Sequence, residues 1–380
     1  MSPPTPAAVT LPVPRRRAPA PAMPEAGPLI DRFGRIHDDL RLSVTDRCNL
    51  RCTYCMPETG MSFLPRAEVL SVDELARIAT VAKKLGVETV RLTGGEPLLR
   101  RELPELVGAL RQIGYRDVAL TTNGMLLARA ARRLAAAGLT RVNVSCDSLR
   151  PERFAAIRRR GSLATVLAAM DAAEEAGLPP VKVNVVLVAG KNDDEVLDFA
   201  AFARRTGRPV RFIEFMPLDA DHSWRPDRVV DGGTVLETID RVHPLVPVPT
   251  HGGTPGDSTP GDSASGSGAP GSGASGDSDE HAPAERFRFA DGQGEIGIIR
   301  SVTRPFCGDC NRLRITADGN VRNCLFSDDE LSLRSVLRGG GGDAEIEQLL
   351  RRSVWAKRAG HGMDDPGFAP TRRSMSMIGG

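Results

Sequence analysis

Six of the seven cysteines fall into two triplets whose spacing suits metal chemistry. Cys48, Cys52 and Cys55 are spaced C-x3-C-x2-C, and Cys307, Cys310 and Cys324 are spaced C-x2-C-x13-C. A closed structural metal site takes four protein ligands, so three thiolates imply a centre with one position open to an exogenous group. Three thiolates hold three corners of a [4Fe–4S] cube, and its fourth iron is then available to chelate a small ligand. The nearby Gly94-Gly95-Glu96 supplies bare backbone and a carboxylate, suited to a ligand bearing an amino group. A competing reading joins Cys52, Cys55, Cys307 and Cys310 in one zinc ribbon, a binding module, but it strands Cys48 and Cys324. Cys146, flanked by Val144 and Asp147, reads as a buried small apolar residue.

The elements that must position these groups alternate between β-rich runs and helix-period stretches. Leu40–Val44, Thr89–Leu92, Val118–Thr121, Val142–Ser145, Val181–Val188 and Val210–Phe215 read as six strands. Ser71 with Glu74 forms a capping box that opens a helix ending near Gly86, and Gly138 and Gly177 sit where helices stop. Strict alternation implies right-handed crossovers and a parallel sheet, open or curled into a barrel. Polar residues decide for the barrel, because they follow successive strands: Cys48, then Thr93 to Pro97, then Thr121 to Gly124, then Ser145 and Asp147. Lys182 and Asn184 on the fifth strand and Glu214 and Met216 at the end of the sixth continue the series. Barrel enzymes assemble one site from the C-terminal ends of many strands in this way.

Composition bounds the rest. With 380 residues, 41% hydrophobic and 26% charged, the chain can bury a core for one large domain or two moderate ones. Lys plus Arg is 50 against 48 Asp plus Glu, and no basic run is interleaved with aromatics, so nucleic acid is not an expected partner. No apolar stretch is long enough to cross a bilayer and the Pro-rich start lacks a secretory core, which points to the cytoplasm. Thiols stay reduced there, as metal ligands require. Residues 1–28 read as a disordered tail and 250–285 as a flexible Gly/Ser/Pro/Asp linker, dividing a body at 29–249 from a C-terminal part at 286–380. The six histidines show no i, i+4 pair and are assigned to no metal, and Arg158, Arg159 and Arg160 read as a solvated helix end.

Cys48-x3-Cys52-x-Tyr54-Cys55 followed by a Gly-Gly-Glu-Pro strand end resembles the radical S-adenosylmethionine superfamily. The strings around Asp31 to Arg35, Leu40 to Pro57, Arg91 to Leu98, Thr121 to Gly124, Asn143 to Asp147, Val181 to Val186, Arg211 to Met216 and Phe306 to Arg314, with a Gly379-Gly380 terminus, are similar to the GTP 3′,8-cyclase family. The resemblance implies an α/β partial (β/α)6 TIM-like barrel with a C-terminal α+β extension that binds a second [4Fe–4S] cluster. It also implies a lyase that converts GTP to 3′,8-cyclo-7,8-dihydro-GTP in molybdenum cofactor biosynthesis. A peptide-modifying radical enzyme with an auxiliary cluster is the nearer alternative, disfavoured by only three C-terminal cysteines and by Arg312 and Arg314.

By the same resemblance, both triplets bind metal, and Tyr54, Gly94, Gly95, Glu96, Ser145 and Met216 contact S-adenosylmethionine. Arg41, Arg91, Thr121, Lys182, Arg312 and Arg314 contact GTP. A triphosphate needs several fixed cations, and Arg offers forked donors to its oxygens. Arg312, Arg314, Gly379 and Gly380 join the first triplet as catalytic residues, with the terminal Gly-Gly expected to be free until substrate orders it. The implied partners are a reducing protein such as a flavodoxin or ferredoxin, the next enzyme (cyclic pyranopterin monophosphate synthase) in transient contact, and a second copy of the chain in a homodimer.

Overall fold

The computed structural model describes residues 22–219, 221, 223–249 and 283–379. The expected tail lies outside these residues up to position 21, and the expected linker lies outside them from 250 to 282. Six parallel strands stand side by side in sequence order: β1 (Asp39–Ser43), β2 (Thr89–Thr93), β3 (Asp117–Thr122), β4 (Arg141–Ser145), β5 (Lys182–Leu187) and β6 (Val210–Glu214). Each end lies within about one residue of the run expected from sequence, as short β-rich segments bounded by turn residues dictate.

The crossovers are helical. They comprise α1 (Val72–Lys84), α2 (Leu103–Ile113), α3 (Leu127–Ala137), α4 (Pro151–Arg158), α5 (Leu163–Glu175) and α6 (Val196–Thr206), and α7 (Gly232–Asp240) follows β6. Ser71 caps α1 as expected, its hydroxyl accepting from Glu74 N while Glu74 accepts from Ser71 N. The remaining strands extend both edges of the same sheet. β7 (Leu245–Pro247), β8 (Glu285–Phe289) and β9 (Glu295–Ile299) form a meander that joins β6 through β9, whereas β10 (Arg312–Ile315), β11 (Asn320–Arg322) and β12 (Leu331–Ser332) continue from β1. Three helices complete the chain: α8 (Leu333–Arg338), α9 (Asp343–Trp355) and α10 (Met375–Ile378).

Side chains alternate across each strand with a period of two, and this separates core from cavity. Leu40 and Leu42, Val90 and Leu92, Val118 and Leu120, Val142 and Val144, and Leu313 and Ile315 enter one hydrophobic core with the crossover helices. Each such burial stabilises by about 1.5–3 kcal/mol. The intervening residues Asp39, Arg41, Arg91, Thr121, Arg141, Asn143, Arg312 and Arg314 line a cavity on the opposite face. Ile299 and Ser301, at the β9 flank of the sheet, line that same cavity with Arg312 and Arg314 of β10 at the other flank. A flat sheet would hold these groups far apart, so the sheet is curled into a partial barrel.

Candidate active site

The cavity, about 270 Å³, brings together most of the residues expected from sequence. Arg41, Cys48, Cys52, Tyr54, Cys55, Arg91, Gly94, Gly95, Thr121, Ser145, Met216, Arg312 and Arg314 all line it. Cys307, Cys310 and Cys324 do not, but their chain neighbours Phe306 and Leu325 do, so the second triplet stands behind one wall.

The first triplet is held by the Gly-Gly-Glu turn. Gly95 N donates to Thr45 O at 2.8 Å and Glu96 N to Arg47 O at 2.7 Å, clamping the chain just before Cys48. That approach admits no side chain: a Cβ on Gly94, whose φ is +141°, would lie 2.3 Å from Thr45 O, and one on Gly95 would lie 2.4 Å from Arg47 O. The three thiols are close enough that charge on Cys48 or Cys52 opposes ionisation of Cys55. Burial pushes Cys48 up to about 11 and Cys55 higher still. Protonated thiols are what a buried, unmetallated triplet should carry, and a cationic iron–sulfur core that replaces those protons fits it. Cys307 is likewise raised, by burial first and then by the neighbouring charges of Cys324 and Cys310. Cys310 differs, since Lys357 and Arg312 outweigh its burial and draw the thiol down to about 6. Cys52 and Cys55 line the cavity whereas Cys307 and Cys310 do not, so the cavity lining does not gather the four thiols of a zinc ribbon.

Four arginines gather around one carboxylate. Asp39 is buried, yet Arg41, Arg91, Arg312 and Arg314 hold its pKa below the ordinary carboxylate value. Burial, followed by repulsion from Arg41, lowers both Arg91 and Arg314 to about 9. Arg91 Nε and Nη1 are buried without a hydrogen-bond partner among the described residues. Orphaned donors in a surplus of positive charge are costly unless a polyanion enters, and a triphosphate fits. Pairing with carboxylates alone therefore does not account for Arg91.

Several expectations need correction. Glu96 does not line the cavity: its carboxylate accepts from Thr122 Oγ1 at 2.7 Å, Asn123 N at 2.7 Å and Leu98 N at 3.0 Å, so it braces the turn instead of facing a ligand. Glu214 is similarly committed to Gly232 N, Val302 N and Thr303. Lys182 is buried and shares the cavity-facing parity of β5 with Asn184, although only Asn184 lines the cavity. Arg158 is not solvated; it is 2% exposed, 2.8 Å from Asp147, and donates to Cys52 Sγ at 3.4 Å. Asp147 also accepts from Tyr54 Oη at 2.8 Å, so a local ion pair overrides the reading of a basic helix end. Gly379, the last described residue, is not free: it is buried and its carbonyl accepts from Arg314 Nη1 at 2.9 Å. A Cβ there would meet Thr93 Oγ1 at 2.4 Å, which explains a glycine at φ +80°. Gly380 lies outside the described residues. Cys146 is fully buried, as expected of a small apolar residue.

Sequence reading missed Asp39, Arg141, Asn143 and Arg211 as cavity residues. The period-two alternation of strands already recognised would have found them, since each shares parity with an expected site residue on its own strand or lies in register with one. Lys357 carried no such signal.

The family model for the Radical SAM superfamily matches residues 42–203, and the model for Molybdenum Cofactor Synthesis C matches residues 272–363. Proteins named GTP 3′,8-cyclase are 46% identical in Mycobacterium sp. (strain KMS), covering 97% of this chain and 98% of the relative, and 46% identical in Streptomyces coelicolor, covering 93% and 96%. The crystal structure of Streptococcus suis SuiB shares the fold, with a TM-score of 0.55 and 12% identity over 88% of this chain and 67% of that one. The radical-type cysteine triplet, the cation-rich cavity and this near-complete match agree: the chain belongs to the GTP 3′,8-cyclase family of radical S-adenosylmethionine enzymes.

Proposed function

We propose that this protein converts GTP to 3′,8-cyclo-7,8-dihydro-GTP, the opening reaction of molybdenum cofactor biosynthesis. The observation that carries the reading is the row of arginines on β10, β1 and β2, facing the same cavity as Cys48, Cys52 and Cys55. When bound, the [4Fe–4S] cluster of the first triplet and S-adenosylmethionine supply a hydrogen-abstracting 5′-deoxyadenosyl radical. The chain's own residues bind and orient. Arg41, Arg91 and Arg314 offer donors to the triphosphate, and Arg312 lines the same cavity while its charge acts on Cys310 of the second triplet. Cys307, Cys310 and Cys324 would hold a second [4Fe–4S] cluster whose open iron takes the guanine base. With both ends of the nucleotide fixed, ribose C3′ and guanine C8 are presented to one another as an intramolecular pair. Tyr54, braced by Asp147, together with Gly94, Gly95, Ser145 and Met216, forms the wall suited to S-adenosylmethionine.

A flavodoxin or ferredoxin suits the role of reductant, and cyclic pyranopterin monophosphate synthase suits the role of acceptor for the product. No helix among the described residues is long and apolar enough to cross a membrane. Anaerobic reconstitution with iron and sulfide, followed by dithionite, S-adenosylmethionine and each nucleoside triphosphate in turn, tests the reading. The expected result is 5′-deoxyadenosine and a cyclised product with GTP alone. Bound zinc without nucleoside product, or turnover with a peptide and not with GTP, would overturn it.

A further inference from the structure

The second triplet has a buried cation at its back. Lys357, 3% exposed, follows α9 and directs Nζ at Cys310 Sγ (3.2 Å), Arg312 O (3.0 Å) and Cys310 O (3.4 Å). Its Nζ also lies 3.5 Å from His37 Nδ1, and His37 Nε2 lies 3.2 Å from Asp31 Oδ2. The arrangement has a direction. A carboxylate accepts from His37 Nε2–H, which leaves Nδ1 as the acceptor for the ammonium. The ammonium in turn has one sulfur within reach.

Burying an ammonium is costly unless an anion or strong acceptors compensate. The two carbonyls and the neutral imidazole carry no charge, and Asp31 is already engaged by Arg35 at 2.6 Å and by His37. The anion that accounts for the charge of Lys357 is a ligating thiolate at Cys310. The same frame grips the triplet from a second side, because Arg35 donates to Cys307 O and to the carbonyls of Arg358 and Ala359. Asp31, Arg35 and His37 precede β1, so residues far apart in sequence join at this one centre.

We propose that Lys357, aimed by His37 and Asp31, is a positioning residue of the second iron–sulfur centre that donates to the Cys310 thiolate and raises the reduction potential of that centre. Hydrogen bonds and positive charge at a ligand sulfur favour the reduced, more negative cluster. The inference rests on the two-cluster reading above.

The experiment is an EPR-monitored redox titration of the full chain carrying Cys48→Ser, Cys52→Ser and Cys55→Ser, so that only the second centre contributes, with iron counted in every sample. Lys357→Met should shift the one-electron equilibrium about tenfold toward the oxidised form, which is about 59 mV. Lys357→Arg, which keeps charge and donors, should stay within about threefold of the parent. His37→Gln, which leaves Lys357 and every ligating cysteine in the chain, should shift in the same direction as Lys357→Met by a smaller factor. If Lys357→Met loses its iron, the His37→Gln midpoint decides, and an unchanged value there overturns the proposal. A loaded Lys357→Met protein with an unchanged midpoint also overturns it. A parent chain that takes up no cluster at the second triplet overturns the two-cluster reading instead, and the two failures are told apart by the iron count.

Discussion

Arg41 and Arg91 are register partners on adjacent parallel strands, and Arg314 flanks Arg41 from the other side. Three guanidinium groups on one line repel each other, and for Arg91 and Arg314 repulsion from Arg41 adds to burial, the larger cause, in lowering the pKa. A fold keeps such a row when the ligand is itself multiply anionic. Arg41→Met should therefore lower kcat/KM for GTP roughly 10- to 100-fold, as loss of a charged hydrogen bond worth about 1.5–3 kcal/mol requires. Iron content should be unchanged. Thermal unfolding without nucleotide should occur at an equal or higher temperature, whereas stabilisation by GTP should shrink.

Gly95→Ala is expected to act on the first triplet alone. The added Cβ meets Arg47 and Asp46 backbone atoms within about 2.6 Å, so the segment leading to Cys48 must move. Overpacking of this kind costs about 1–3 kcal/mol. After reconstitution, iron should fall from about eight to about four atoms per chain, with the second centre's EPR signal retained.

Replacement of Arg158 tests the buried ion pair. Arg158→Met leaves the Asp147 carboxylate unpaired and removes the donor to Cys52 Sγ, and truncation of such a pair costs about 3–5 kcal/mol. Chemical denaturation should detect that loss. Tyr54 depends on Asp147, so the spectral change of the first cluster on adding S-adenosylmethionine should weaken too.

Cys324→Ser should spare the first cluster and abolish cyclisation. Full turnover by this variant would contradict the role given to the second triplet.

His37 makes the unmetallated protein sensitive to acid. Burial and then Lys357 hold His37 down at about 4 despite Asp31, whereas an unfolded histidine titrates near 6.5. Below pH 6.5 the unfolded chain gains a proton that folded His37 refuses until about pH 4. Stability is thus lost as pH falls through this window, by on the order of 3 kcal/mol, and the loss levels off below it. Urea unfolding of the metal-free protein at stepped pH should show this slope, and His37→Gln should flatten it.

The parallel strands, the capping box and the grouping of cysteines were legible in the chain alone, because each depends on local rules: period-two patterning, cap chemistry and ligand spacing. Strand ends moved by about one residue at most, and most of the expected cavity residues, though not Glu96 or Lys182, met in one place. Tertiary structure decided the rest. Whether Glu96 faces a ligand or braces a turn, whether Arg158 meets water or Asp147, and whether Gly379 is free or docked on Arg314 depend on neighbours outside the local segment, from about ten to more than sixty residues away. Lys357 reaches Cys310 only because the chain segment after α9 returns to the foot of β10. Burial sets the sign of each charge's contribution, and burial is a property of the packed molecule, not of any one segment.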